Sequence, residues 1–344
     1  MIAARLHKYH DPLTVEQIAE PEITGPHDVI VRLGGAGLCR TDLHVQEGQW
    51  AEKSGVELPY VLGHENAGWV HELGSAVTNV AVGDTVIVHP LITCGLCRAC
   101  RAGDDVHCEN NLFPGISVDG GFAELLKTSA RSVVKLDPTL HPKDIAALAD
   151  AGLTAYHAVK KAASILYPGS RAVVIGAGGL GHIGIQCLKA MTPAEIIVID
   201  PSERARALAG EIGADSTVAA DGRQVDTILE MTDGKGAEAI IDFVGEHGAI
   251  EDGVAMLREA GSYYVIGYGE NVNVPTIDII SREINFIGNL VGSYNDLAEL
   301  MTLTAQGQVT LHTSSYPLEA VNDAMADLDQ GRLQGRGILI ADAA

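Results

Sequence analysis

Residues 172–181 of the chain read Ala-Val-Val-Ile-Gly-Ala-Gly-Gly-Leu-Gly, and this run restricts the fold more than any other. Ala172 to Ile175 is short, apolar and β-branched, the pattern of a buried strand. Gly176 then permits a tight turn, Gly178 a close approach of backbone to a pyrophosphate, and Gly181 close packing of helix on strand. Gly179 and Leu180 complete the turn, and the helix that starts there turns its N-terminus toward an anion. A glycine-rich structural turn would look the same, but the next expected strand ends in Asp200, nineteen residues after Gly181. A carboxylate there can accept from a ribose 2′-OH and repels a 2′-phosphate. The expectation is a dinucleotide site, NAD in preference to NADP. Arg204 and Arg206, which could take a 2′-phosphate, stand close by.

The surrounding rhythm agrees with that turn. From about 152 to 290 helical and strand patterns alternate: a helix over 152–166, strands over 172–175 and 195–200, and a helix from Leu180 between them. Such alternation implies a doubly wound parallel sheet. Before it come short strands over 29–33, 68–73, 85–89, 122–127 and 133–136, separated by Gly, Pro and Asp turns, which read as an all-β or barrel-like domain. The tail, with helices over 296–304 and 318–329 and a strand over 337–340, is too short to stand alone and is expected to pack on the first domain. A length of 344 residues suits two domains.

A formal charge of −22 and the lack of a basic stripe speak against nucleic acid as a partner. The first residues lack the basic-then-apolar order of a signal peptide. The most apolar stretch, 172–191, is glycine-rich and interrupted by His182 and Lys189. A cytoplasmic protein without a membrane partner is expected.

Six cysteines are too few for a disulfide scaffold in a chain this long. Four of them form Cys94-x2-Cys97-x2-Cys100-x7-Cys108, and thiolates so crowded can close a tetrahedral zinc site with no open position, the structural arrangement. An iron–sulfur cluster uses similar spacing, but its last cysteine is typically followed by proline, whereas Cys108 is followed by Glu109. Cys187, on an expected apolar helix, reads as a small buried hydrophobe. Cys39 and His64 each follow a strand-like run. With one further anionic ligand they could hold a zinc whose fourth position stays open for substrate. On the residues alone, a buried thiol and a satisfied core histidine read equally well.

Gly37-Leu38-Cys39-Arg40-Thr41-Asp42-Leu43-His44, Gly63-His64-Glu65, the four-cysteine lobe, the glycine turn and Asp200 occur in the order and spacing of the zinc-dependent medium-chain alcohol dehydrogenases, which the whole chain resembles. The resemblance implies an α/β protein: a GroES-like β-rich catalytic domain over 1–154 and 291–344, and a Rossmann NAD-binding domain over 155–290. It implies two zinc ions per chain, one held by the four cysteines and one by Cys39, His64 and a third ligand, for which only Asp150 is available in the matching segment. A plain helix N-cap is the other reading of Asp150. Glu65 stands where the family has an acid beside the metal, with a buried salt bridge as its other reading. Thr41 stands where the substrate oxygen is hydrogen-bonded, and His44 where a proton relay ends.

Arg40 resembles a pyrophosphate contact. Thr154, Ile266, Gly267, Asn289, Leu290 and Val291 resemble nicotinamide contacts. Trp50, Leu91, Phe113 and Leu290, with Thr41, would line an apolar pocket suited to alkyl or aryl alcohols. The implied reaction is ordered: NAD binds across the cleft between domains, the alcohol follows, and a hydride moves reversibly to give an aldehyde or ketone. Other readings are a polyol or a zinc-free enone or quinone reductase of the superfamily, and a non-catalytic NAD-sensing protein. The family further implies a homodimer or homotetramer.

Overall fold

Backbone hydrogen bonds gather the strands into three sheets, in a computed structural model that describes residues 1–49, 51–333 and 335–341. The chain forms two compact units, one of Met1–Leu153, Ser293–Ala305 and Leu311–Ala344, the other of Thr154–Gly292 and Gln306–Thr310.

The second unit is built on six parallel strands, in the order Ser216–Ala219, Glu195–Asp200, Arg171–Ile175, Ala237–Asp242, Leu257–Val265 and Asn285–Gly288. Ala172, Val173 and Val174 are wholly buried, as are Ile196, Ile197 and Val198. Burial of consecutive residues means that both faces of the sheet are covered, which is why these strands read as apolar runs without alternation. Helices Gly181–Met191, Glu203–Ile212 and Ala249–Met256 pack on it. Residues 306–310 join this unit through Gln186, which donates to the Thr310 carbonyl and accepts from its amide, both at 2.9 Å.

The first unit is organised by the eleven-residue strand Asp28–Leu38. It pairs antiparallel with Glu65–Leu73 along its length, with Leu125–Ser129 at its start and with Arg336–Ile340 at its end. The last pairing brings the C-terminal segment onto the first half of the chain. Thr85–Val88, Val133–Lys135 and Thr313–Pro317 complete this sheet, and Thr14–Gln17, Ile2–Leu6 and Tyr60–Val61 form a third.

Sequence patterning and structure part in several places, three of which have a plain physical cause. The strand expected over 122–127 runs instead over Leu125–Ser129. Its first residues are held in a loop, where the amides of Gly121 and Phe122 donate to Gly63 and Leu62 at 2.8 Å. A β-carbon at Gly121 would lie 1.7 Å from Asn66 Oδ1, so only glycine lets the chain lie so close. The helix expected from Leu318 opens as a 3-10 turn, Leu318–Ala320, after Pro317, before the α-helix Val321–Asp329. Ile2–Leu6 was not expected as a strand, since two alanines give it little β-propensity. Pairing with two partners overrides that preference. Among the described residues no helix is long and apolar enough to cross a membrane.

Candidate metal and dinucleotide sites

Cys94, Cys97, Cys100 and Cys108 lie on a lobe whose only regular pieces are the helix Arg98–Ala102 and a 3-10 turn, Asp105–His107. Their sulfurs all lie within 4.8 Å of one another. Backbone amides surround them: Leu96 and Cys97 donate to Cys94 Sγ, both at 3.4 Å, and Cys94 and Asn110 donate to Cys108 Sγ at 3.3 and 3.4 Å. Amides aimed at sulfur favour thiolate over thiol. The Leu96 and Cys97 amides bring Cys94 down to about 6, while burial pushes Cys100 up to about 12. Four soft donors converging on one point, with no carboxylate or imidazole among them, fit a closed tetrahedral zinc.

The second cluster is assembled from distant segments. Cys39 joins the strand Asp28–Leu38 to the helix Arg40–Gln46, and its amide donates to Asp42 Oδ2 in the helix's first turn at 2.9 Å. His64 follows the turn at Gly63 and leads into the strand Glu65–Leu73. Asp150 sits between the 3-10 turn Ala146–Ala149 and the helix Ala151–Ala163. Ligand atoms of Cys39, His64, Glu65 and Asp150 all lie within 4.8 Å of one another. His64 Nδ1 faces Asp42 Oδ1 at 3.3 Å and its Nε2 faces Asp150 Oδ2 at 3.5 Å. Glu65 Oε1 accepts from Arg336 Nη2 at 2.5 Å and from the Ala151 amide at 3.2 Å. That amide belongs to the first turn of the helix after Asp150, so Glu65 caps it.

Burial by itself would lower the His64 pKa, but the carboxylates of Asp42 and Asp150 hold it well above the ordinary histidine value. Burial raises the Glu65 carboxyl, against the opposing pull of Arg336. Asp42, His64, Glu65 and Arg336 are all at most 4% exposed. Within this shell His64 Nε2, Asp150 Oδ1 and Glu65 Oε2 are buried with no hydrogen-bond partner. Polar atoms buried without a hydrogen bond are costly in a dry interior, and a cation among them removes the cost. One thiol, one imidazole and one of the two carboxylates suit a tetrahedral zinc with a fourth position to spare, which the other carboxylate would fill.

Thr41 and His44 are half-buried on the helix Arg40–Gln46, and Arg40 is exposed at its start. Phe113 stands edge-on to His64, ring centres 5.9 Å apart. Leu91 is buried, Leu290 is 58% exposed, and Trp50 lies outside the described residues. Sequence reasoning missed Asp42 and Arg336. An acid three residues into a helix after Cys39 was a usable signal for the first, but nothing marks an arginine 271 residues from its partner.

In the second unit Gly176 has φ of +89°, and a β-carbon at Gly181 would meet the Gly176 carbonyl oxygen at 1.9 Å. The turn through Gly178, Gly179 and Leu180 needs no such room from the protein at Gly178, where a β-carbon would meet nothing within 4 Å. Asp200 accepts the Ala177 amide through Oδ2 and the Ser202 amide through Oδ1, each at 2.8 Å. Arg206 Nη1 donates to the carbonyls of Asp200 and Pro201 at 2.7 and 2.9 Å. The amides of Ile266 and Gly267 donate to the Asp242 carbonyl, and Asn289 bonds the Val265 and Ile287 carbonyls. Thr154 lies half-buried on the helix Ala151–Ala163, and Val291 has a left-handed φ of +46°.

Comparison with known proteins bears on both units. Residues 25–138 match the alcohol dehydrogenase GroES-like domain, and 179–306 match the zinc-binding dehydrogenase family. The chain is 37% identical over 343 residues to D-arabinose 1-dehydrogenase (NADP(+)) of Saccharolobus solfataricus, covering 98% of this chain and 97% of that one. It is 37% identical over 349 residues to NAD-dependent alcohol dehydrogenase of Sulfolobus acidocaldarius, covering 98% and 99%. The crystal structure of the alcohol dehydrogenase from Aeropyrum pernix superposes with a TM-score of 0.95 at 46% identity, covering 99% of this chain and 100% of that one. On these matches and the two-unit architecture, the chain belongs to the zinc-type medium-chain alcohol dehydrogenase family, whose members are oxidoreductases acting on alcohols.

Proposed function

We propose that the protein is an NAD-dependent dehydrogenase of alkyl or aryl alcohols. Cys39, His64 and Asp150 hold a catalytic zinc, with Glu65 beside it, and the four-cysteine lobe holds a structural one. The observation that carries the reading is the convergence of Cys39, His64, Glu65 and Asp150, with His64 Nε2, Glu65 Oε2 and Asp150 Oδ1 among the buried atoms that make no hydrogen bond. When bound, the zinc supplies Lewis acidity that lowers the alcohol's pKa, and the dinucleotide supplies the hydride acceptor.

The chain's own residues supply the rest. Asp42, facing His64 Nδ1, orients the ring, and Arg336 opposes the rise that burial imposes on the Glu65 carboxyl. Thr41, two residues after Cys39, accepts a hydrogen bond from the alcohol's hydroxyl and, as it takes up that proton, passes its own hydroxyl proton on. His44 lies three residues further along the same helix, a spacing that puts both side chains on one face and suits a relay of that proton outward. Phe113, edge-on to His64, offers the substrate an apolar wall and keeps water from the reacting carbon.

NAD is preferred because Asp200 places a carboxylate at the strand end while Arg206 is engaged by two backbone carbonyls. A sugar substrate with NADP is the second reading, favoured by the 37% identity to D-arabinose 1-dehydrogenase (NADP(+)). A panel of alkyl and aryl alcohols, polyols and aldoses, each with NAD and NADP and followed by the absorbance of the reduced cofactor, separates the two. Turnover confined to aldoses with NADP would overturn the first reading. No turnover with any of them, despite cofactor binding, would point to a sensing protein.

A further inference from the structure

Asp242 ends the strand Ala237–Asp242 near the middle of the six-stranded sheet and is wholly buried. Its carboxylate is engaged by local groups through both oxygens: Oδ1 accepts the amides of Val244 and Gly245 at 2.8 and 3.0 Å, and Oδ2 accepts the Tyr263 hydroxyl at 2.7 Å. Tyr263, also wholly buried, lies on the neighbouring strand Leu257–Val265, and its hydroxyl is 3.3 Å from the Ala249 carbonyl at the start of the next helix. The Asp242 carbonyl meanwhile accepts from Ile266 and Gly267 at 3.0 and 2.9 Å.

The turn that this carboxylate shapes touches the dinucleotide segments on both sides. The Phe243 amide donates to Ile175, just before the glycine turn. Its ring fills the space a side chain at Gly184 would need, with Phe243 Cζ 2.6 Å from the ideal β-carbon. Val244 Cγ2 stands 2.7 Å from the β-carbon position of Gly176. On the other side, a β-carbon at Gly245 would come within 2.4 Å of the Gly267 carbonyl. Interfaces this close transmit displacement, because nothing compressible lies between them.

We propose that Asp242, latched by Tyr263, is a positioning residue for the cofactor: it fixes the turn 242–245 so that the glycine turn and the Ile266–Gly267 segment are set in place before the dinucleotide arrives. This rests on the reading of the second unit as the NAD site. Preorganisation of this kind acts on affinity for the cofactor and not on affinity for the alcohol. A charge-assisted bond to a buried carboxylate is among the stronger ones available.

The test is NADH binding to the full protein by fluorescence titration, with the KM of NAD, the KM of the alcohol, kcat and Tm measured alongside. Asp242→Ala is expected to weaken NADH by about tenfold or more, and Tyr263→Phe by about threefold. The KM of NAD should rise with them while the KM of the alcohol stays put. Asp242→Asn, whose carbonyl oxygen can still accept both amides, should return within about threefold of the wild type. Should Asp242→Ala fail to fold, Tyr263→Phe and Asp242→Asn carry the test. Unchanged NADH affinity in Tyr263→Phe, or a parallel rise of both KM values with a lowered Tm, would reduce the pair to a structural role and overturn the proposal. If the wild type itself bound no NADH, the reading of the unit would fall first, and that result is visible separately.

Discussion

The four-cysteine lobe and the Cys39 cluster each gather four metal-ligating groups inside 4.8 Å, yet they are built in opposite ways. The lobe takes all four donors from fifteen consecutive residues, and its turns aim backbone amides at the sulfurs. The Cys39 cluster takes one donor from a helix start, two from a strand start and one from a helix junction, and a buried arginine from the far end of the chain completes it. A local loop with four identical soft donors has no reason to leave a coordination position open. A mixed set hung on rigid elements can leave one, and under the proposed function its atoms without a hydrogen bond are where chemistry would enter. On the proposed reading, the contrast teaches that the donor set and its scaffold separate a clamp from a reaction centre.

The sharpest way to break that contrast is to treat the two cysteines alike. Cys39→Ser is expected to lower kcat with the preferred alcohol by at least about a thousandfold while NADH still binds and the lobe keeps its zinc, because a lost Lewis acid removes several kcal/mol from transition-state stabilisation. Metal content by mass spectrometry, read beside turnover, checks it; retention of full activity would erase the distinction. Asp42→Asn should sharpen the comparison with a smaller effect. It leaves the donors intact but weakens the group facing His64 Nδ1, so zinc affinity or kcat should fall by about 10-fold to 100-fold.

Cys97→Ser in the lobe should show the reverse pattern. Tm is expected to fall by about 5–10 °C as a structural metal is lost, while kcat at low temperature changes by less than about threefold. A large loss of kcat without a loss of Tm would mean that the lobe takes part in the reaction.

The mildest effect concerns pH. The folded-state pKa of Cys94 is depressed to about 6 by the amides of Leu96 and Cys97, from a thiol value near 9. A depressed group contributes stability that is fully present above about pH 9 and is lost as pH falls toward about 6. Cys100, pushed up to about 12 by burial, must release a proton when zinc binds. Both signs agree. A chelator titration from pH 9 down to 6 should therefore strip the lobe progressively more easily, and a flat profile would contradict the thiolate assignment.

Much of this molecule is legible in its residues because the information is local. The strand, glycine turn and helix at 171–191, the strand Glu195–Asp200 and the cysteine spacing each specify themselves within a few turns of chain. Cys39 and His64 can be picked out as candidates, but Asp150 entered through family resemblance, since an acid ahead of a helix reads equally well as a cap. What only the tertiary structure decided is who stands beside whom. The antiparallel register that sets Gly337 against Leu38 and Gly37 against Glu65 carries Arg336 to Glu65, and a β-carbon at Gly37 would fall 2.0 Å from Glu65 Oε2. Periodicity and spacing report on neighbours in sequence, whereas strand register is fixed by the packing of whole sheets, so a partner 271 residues away leaves no local trace.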